Sequence, residues 1–196
     1  MVVSSLPFPV DKDRLRRDAM ERRKEFVRTL DDPERTRLER RLAFHLTSVL
    51  ANARVVAGYA ALGSEISPVW AMEEARAVGA VAAYPAFHNP TEPFRFLGAD
   101  PNSVGLFGIN QPPLHAAEVT PDVVLVPLVA IDPAGTRLGR GKGHYDRVLT
   151  PLKRNGAHLI GVGWSFQMIE EIPPDPWDVP LDAFASPDGL IRFVKR

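Results

Sequence analysis

Between Gly135 and Arg147 the chain reads GTRLGRGKGHYDR, with Gly139, Gly141 and Gly143 alternating among Arg137, Arg140 and Lys142. Residues of these types in this order suit a polyphosphate. Glycine adopts positive φ without a Cβ penalty, so consecutive N–H groups can converge on an anion while the cations add charge. A helix expected to begin near His144 would aim its free N–H groups and positive dipole end at the same point. Asp146 falls in the first turn of that helix. A carboxylate there serves either as an oxygen ligand for magnesium riding on the phosphates or as an acid stabilising the helix dipole. Composition alone also admits a solvated basic loop. Context favours the anion site, because DVVLVPLVAID, from Asp122 to Asp132, reads as a buried parallel strand and its exit. Strand, glycine loop and helix is the order in which open α/β sheets bind ligands at the carboxyl ends of their strands. Neither common phosphate fingerprint is met: Gly143 stands where a P-loop has Ser or Thr, and the glycine spacing is not that of a dinucleotide fold.

The elements that must position this loop can be read from periodicity. Asp11 to Leu30 is charged and helical in pattern, with Leu15, Ala19, Phe26 and Leu30 on one stripe. Asp32-Pro33 offers a cap and a first-turn proline for a second helix reaching about Ala51. Residues 54–62 read as a strand, Ser67-Pro68 opens a helix that Gly79 ends, and the strand AVAAYP follows from Ala80. Phe94 to Leu97 is a short strand, QPPLHAAEVTPD a connecting loop, HLIGVGW a further strand and SFQMIEEI a short helix. PPDPWDVP, around Trp177, reads as an ordered surface loop. Helices between strands predict βαβ units: an open, mainly parallel α/β sheet with helices on both faces, preceded by an N-terminal helical pair. One domain over 1–196 is expected, with helices 1–51 packed on an α/β core, 52–196, that carries the loop 135–147.

Composition excludes several classes of function. The 196 residues are 45% hydrophobic, enough for a substantial core, and 24 basic residues balance 24 acidic ones, giving no general pull toward nucleic acid or membrane. With no cysteine there is no thiolate nucleophile, disulfide scaffold or Cys-ligated zinc. The start, MVVSSLPFPVDK, lacks the basic n-region and apolar run of a secretory signal, so a cytoplasmic protein is expected. The five histidines have neither metal-ligand spacing nor a Ser or Cys partner. Most cations of the first helix interleave with Asp and Glu and read as a solvated face. Lys12 and Arg16 differ, because four-residue spacing lets both reach one anion.

The string DPAGTRLGRGKGHYDR resembles the ATP-binding signature, RLGxGxGxYD, of 5-formyltetrahydrofolate cyclo-ligases, also called methenyltetrahydrofolate synthetases. Further pieces follow that family's order along nearly the whole chain: Lys12 with Arg16, Glu65-Ile66, Phe107-Gly108-Ile109, and Asp178-Val179-Pro180-Leu181-Asp182. The resemblance implies a Rossmann-like fold of the NagB/RpiA/CoA-transferase type, with ATP as co-substrate, Mg²⁺ as cofactor and a reduced folate as the other small-molecule partner. No nucleic acid or membrane partner is expected, and the protein is expected as a monomer or weak homodimer. It implies that Arg137, Arg140 and Lys142 are catalytic, and that ATP meets Lys12, Arg16, Arg137, Leu138, Gly139, Arg140, Gly141, Lys142, Gly143, His144 and Tyr145. Glu65, Ala60, Tyr145 and Trp164 would meet the folate, with Tyr59 and Phe87 as further candidates for an aromatic wall. Asp146 and Asp182 would hold the metal, although Asp182 also reads as an ordinary strand-end residue and Glu65 as a surface one. The sequence departs from the family at His144, where Tyr or Phe is usual, at Pro68, often Thr, and at Trp177, often His. The implied reaction is ATP-dependent closure of 5-formyltetrahydrofolate to the 5,10-methenyl form; a noncatalytic nucleotide or folate binder on the same scaffold is the alternative, and an RNA-binding module a more distant one.

Overall fold

A computed structural model describes residues 11–194. The expectation drawn from the first ten residues, that no secretory leader is present, lies outside this range. Helices α1 (Lys12–Arg28) and α2 (Asp32–Leu50) come first, then β1 (Val55–Ala57), α3 (Val69–Ala77) and β2 (Val81–Ala86). Short strands follow: β3 (Arg95–Leu97), β4 (Ser103–Val104) and β5 (Asn110–Gln111). The chain continues through β6 (Val123–Pro127), β7 (Ala130–Ile131), β8 (Arg137–Leu138), α4 (His144–Arg154) and β9 (His158–Val162), and ends on β10 (Ala183–Ser186) and β11 (Gly189–Arg192).

Seven strands form one sheet in the order β11-β10-β9-β6-β1-β2-β3. Its five central strands pair in parallel, and β3 and β11 add antiparallel edges. Central strands buried on both faces explain the unbroken apolar run of VVLV. On one face Leu42 and Leu46 of α2 and Met72 of α3 pack with Val56, Leu125 and Ile160. On the other, Leu149 and Leu152 of α4 pack with Val124 and Leu159. Leu42 and Leu46 are fully buried, the setting in which Leu→Ala costs roughly 2–5 kcal/mol.

The helix starts obey capping rules with one shift. Asp31, rather than Asp32, caps α2 by accepting the Glu34 amide at 2.8 Å, and Pro33 sits in the first turn. The four stripe residues face the protein: Leu15 and Ala19 of α1 meet the Leu138 cluster, while Phe26 and, two residues past the helix, Leu30 meet the main core.

Four elements differ from the sequence reading. The strand expected over 54–62 stops at Ala57. Tyr59 turns inward there and donates to the Ile66 carbonyl at 2.7 Å, so this stretch is diverted into a loop. The run 122–132 breaks after Pro127, and Ala130–Ile131 forms a separate strand, β7, paired antiparallel with β8 at the base of the glycine loop. SFQMIEEI forms only the 3-10 turn Ser165–Gln167, because the Gln167 amide donates to the carbonyls of Leu128 and Val129 at 3.0 and 2.8 Å. The helix foreseen from His144 to about Leu149 instead runs on to Arg154. Among the described residues no helix is long and apolar enough to cross a membrane.

Candidate functional site

The base of the glycine loop is fixed before its tip is shaped. Asp132, 3% exposed, accepts the amides of Ala134, Thr136 and Ile172 at 2.9, 2.8 and 3.0 Å. Beyond β8 the glycines divide the work. Gly141 and Gly143 take positive φ, 86° and 63°, as their spacing predicts. Gly139 does not; a Cβ there would lie 2.6 Å from Arg137 Nη1, so that guanidinium would have to shift. Gly143 is the N-cap of α4 and has no side chain to satisfy the first-turn amides, so the helix presents them outward.

These parts wall a cavity of about 650 Å³ at the carboxyl ends of the strands. Lys12, Arg16, Ala60, Glu65 and every expected residue from Arg137 to Asp146 line it. Arg137 donates to Asp146 at 2.8 Å and stands 5.7 Å from the Tyr145 ring. Its buried Nε has no hydrogen-bond partner among the described residues, an expensive state unless something fills the cavity beside it. Arg140, itself 45% exposed, reaches Glu65 at 3.0 Å, an ion pair weak enough for a ligand to displace. Lys142 extends its ammonium to 5.1 Å from the Phe107 ring. Arg16 donates from Nε to the Gly139 carbonyl at 2.8 Å, and Lys12 bridges Asp175 and Asp178 at 2.6 and 2.9 Å. Spacing on α1 thus does bring Lys12 and Arg16 to one wall.

Behind the cations the cavity turns apolar. Phe87 contacts Phe94, Phe107 and His144 edge-on, with ring centres 5.4, 5.5 and 5.2 Å apart. Phe107 adopts φ +62° and ψ 16°, a left-handed conformation that costs a non-glycine residue about 1–2 kcal/mol and is typical of ligand sites. Glu65, 8% exposed, is the carboxylate of this chamber; its second oxygen accepts the Leu62 amide at 2.9 Å. Burial and the field of Glu65 hold the Tyr59 and Tyr145 phenols above their ordinary range, so both stay neutral. Burial, then Arg147 and Lys142, lowers His144, which is neutral at neutral pH.

Two expected residues are elsewhere. Trp164 is 1% exposed, donates from Nε1 to the Ser64 carbonyl at 3.0 Å and packs edge-on against Phe26. It supports the loop behind Glu65 from the core and does not line the cavity. Asp182 precedes β10, at the amino edge of the sheet, where it accepts the Leu159 amide at 2.9 Å and pairs with Lys153 at 3.4 Å. A parallel sheet puts that edge opposite the loop, so Asp182 has no route to a metal held by Asp146.

The sequence reading also missed supports. The charge pattern of α1 reads as a mostly solvated face, yet Arg23 on that helix is 2% exposed. It donates to the Leu128 carbonyl at 3.0 Å and Ser64 Oγ at 3.1 Å, and lies 4.0 Å from Glu65. Burial lowers this guanidinium, Glu65 partly offsetting the effect. The available signal was spacing: Arg23 follows Arg16 by two helical turns and shares its face. Gln111 was also passed over; its amide clamps the Phe87 backbone, accepting from N–H at 3.1 Å.

A model of the 5-formyltetrahydrofolate cyclo-ligase family matches residues 9–187. The chain is 30% identical to the 5-formyltetrahydrofolate cyclo-ligase of Mycolicibacterium smegmatis over 159 residues, 76% of this chain and 81% of the relative. Over 91 residues, 44% of this chain, it is 38% identical to the Haemophilus influenzae enzyme of the same name. The matched stretches span about half the length of the Haemophilus and Escherichia coli relatives, 49% and 56%. Among solved structures, a 5,10-methenyltetrahydrofolate synthetase from Mycoplasma pneumoniae superposes with a TM-score of 0.72 at 26% identity, covering 91% of this chain and 99% of the other. That from Aquifex aeolicus gives 0.75 at 29% identity, covering 94% of each chain. By the family match across most of its length, the chain belongs to the 5-formyltetrahydrofolate cyclo-ligase family.

Proposed function

We propose that this protein converts 5-formyltetrahydrofolate to 5,10-methenyltetrahydrofolate at the expense of ATP, releasing ADP and phosphate. The observation that carries the reading is the convergence on one cavity of Arg137, Arg140, Lys142 and the uncapped start of α4, with the buried Arg137 Nε left without a partner. An N5-formyl group is an amide, whose carbon resists attack by N10 and whose oxygen is a poor leaving group. Phosphorylation removes both obstacles. The formyl oxygen attacks the γ-phosphorus and ADP departs; N10 then adds to the formyl carbon, loses its proton, and phosphate leaves with the former formyl oxygen. Such a transfer asks the protein for alignment and positive charge, with no protein nucleophile.

In this reading Lys12, Arg16, Leu138, His144 and the glycine-loop amides hold the triphosphate, while Arg137, Arg140 and Lys142 meet the charge that develops during transfer. Glu65, freed from Arg140, accepts paired N–H donors of the pterin edge, and Ala60, Tyr145 and Phe87 form the chamber around the rings. No group of three or more His, Asp or Glu among the described residues could hold a metal unaided. Asp146, the carboxylate in the first turn of α4 beside the glycine loop, suits magnesium, which is commonly bound by one or two carboxylates together with substrate phosphates and water. Bound there, it would neutralise phosphate charge. We assign the protein to the cytoplasm, acting as a monomer or weak homodimer.

The test mixes purified protein, Mg-ATP and 5-formyltetrahydrofolate and follows the absorbance of the conjugated methenyl product. Nucleotide binding without product, at any enzyme concentration, would refute the reaction.

A further inference from the structure

The turn Asp175–Asp178 stands at the mouth of the cavity and carries Trp177, which is 67% exposed. The turn is nonetheless held firmly. The Asp178 amide donates to the Asp175 carbonyl at 3.0 Å, Pro176 takes the second position, and the Asp178 carboxylate accepts the Asp175 amide at 2.8 Å. Lys12 clamps both carboxylates from α1. Burial opposes its charge, but Asp175 and Asp178 outweigh that and keep the ammonium above its ordinary range.

Trp177 also borders a second, shallower groove of about 700 Å³ that runs outward beside α4. Main cavity and groove share Lys142, Gly143, Asp146, Trp177 and Asp178. One indole therefore spans the junction between the phosphate loop and the solvent. The other two tryptophans have partners: Trp70 lies under the Arg40 guanidinium at 3.7 Å, and Trp164 is in the core. Trp177, on a pinned turn, keeps a large apolar face in water, and a flat ring laid on it recovers that area.

We propose that Trp177 is the platform on which the purine base of the nucleotide stacks when its phosphates occupy the glycine loop. This rests on the nucleotide-binding half of the function proposed above. The folate rings are the other flat groups available. They are matched by the aromatic chamber of Phe87, Phe94 and Phe107, whereas Trp177 stands among the loop residues Lys142, Gly143 and Asp146.

Calorimetric titration of the wild-type protein, Trp177→Ala and Trp177→Phe with ATP, inorganic tripolyphosphate and 5-formyltetrahydrofolate, all with magnesium, provides the test. Trp177→Ala should weaken ATP roughly five- to a hundredfold, as losing a base–aromatic stack does, while tripolyphosphate stays within about twofold. Trp177→Phe should recover most of the loss, because a smaller π-face remains. Unchanged ATP affinity in Trp177→Ala, an equal loss for tripolyphosphate, or a loss for the folate in place of ATP would each overturn the platform. A wild-type protein that binds ATP in this pattern but forms no methenyl product would refute the reaction and leave the platform standing; one that does not bind ATP would overturn the platform.

Discussion

The two edges of the parallel sheet use charge in opposite ways. At the amino edge Asp122 accepts the amides of Arg54 and Val55 at 3.0 and 3.1 Å, and Asp182 accepts that of Leu159 at 2.9 Å while pairing with Lys153. Each carboxylate is spent on a strand that would otherwise begin with an unpaired N–H. At the carboxyl edge Arg137 keeps an unpartnered Nε, Arg140 reaches the buried Glu65 from an exposed position, and α4 begins on a glycine with no capping side chain. The same residue types thus complete the fold at one end and remain available at the other. Exposure alone does not separate them, since Asp182 and Arg137 are 8% and 7% exposed; satisfaction of hydrogen bonds does.

Substitutions can break this contrast. The largest effect is expected at the carboxyl edge: Lys142→Ala or Arg137→Ala should lower turnover by about two to three orders of magnitude, roughly 3–4 kcal/mol of transition-state stabilisation. Arg22→Ala, whose guanidinium lies over Phe166 and outside the cavity, should leave turnover near wild type. Equal losses at all three positions in a steady-state assay would show that the loop has no special role. At the amino edge, Asp182→Ala leaves the Leu159 amide unpaired and should cost about 1–3 kcal/mol in denaturant unfolding. Turnover of the folded fraction should be unchanged; its collapse would return Asp182 to the metal site. Gly141→Ala forces a side chain to φ +86° and should cost about 1–2 kcal/mol. It should also raise the KM for ATP, as the loop amides turn away.

The smallest effect is a pH dependence from His144. Its folded-state pKa lies below the ordinary value of 6.5, through burial first and then Arg147 and Lys142. The unfolded chain therefore takes up the proton first. Stability from this group is complete above the ordinary pKa, declines as pH falls below it, and levels off under the folded pKa. Thermal melts across this range should show that decline flattened in His144→Phe, which keeps an aromatic ring and removes the titrating group.

Much of this architecture was legible in one dimension. Apolar periodicity marked α1, α2, α3 and the central strands, since burial on one helical face or on both faces of a sheet constrains residue type at each position. Strand ends were less legible. Nothing local in GYAAL distinguishes a strand from a chain diverted by the hydrogen bond of Tyr59 to Ile66. Among the site residues, glycine spacing identified the loop because positive φ is a local demand. The role of Gly139 was not legible, because the Arg137 side chain that crowds it is placed by tertiary packing.

The sequence by itself determined the mainly parallel α/β class, the glycine loop between strand and helix, and the placing of Lys12 and Arg16 on one helical face. Each follows from backbone conformation or periodicity, which act over a few residues. Only the tertiary structure decided that Arg23 is a buried support, that Trp164 belongs to the core, and that Asp182 lies at the far edge of the sheet. Those outcomes depend on which amide or carbonyl long-range folding brings within about 3 Å of a side chain, and a linear order of residue types does not carry that distance.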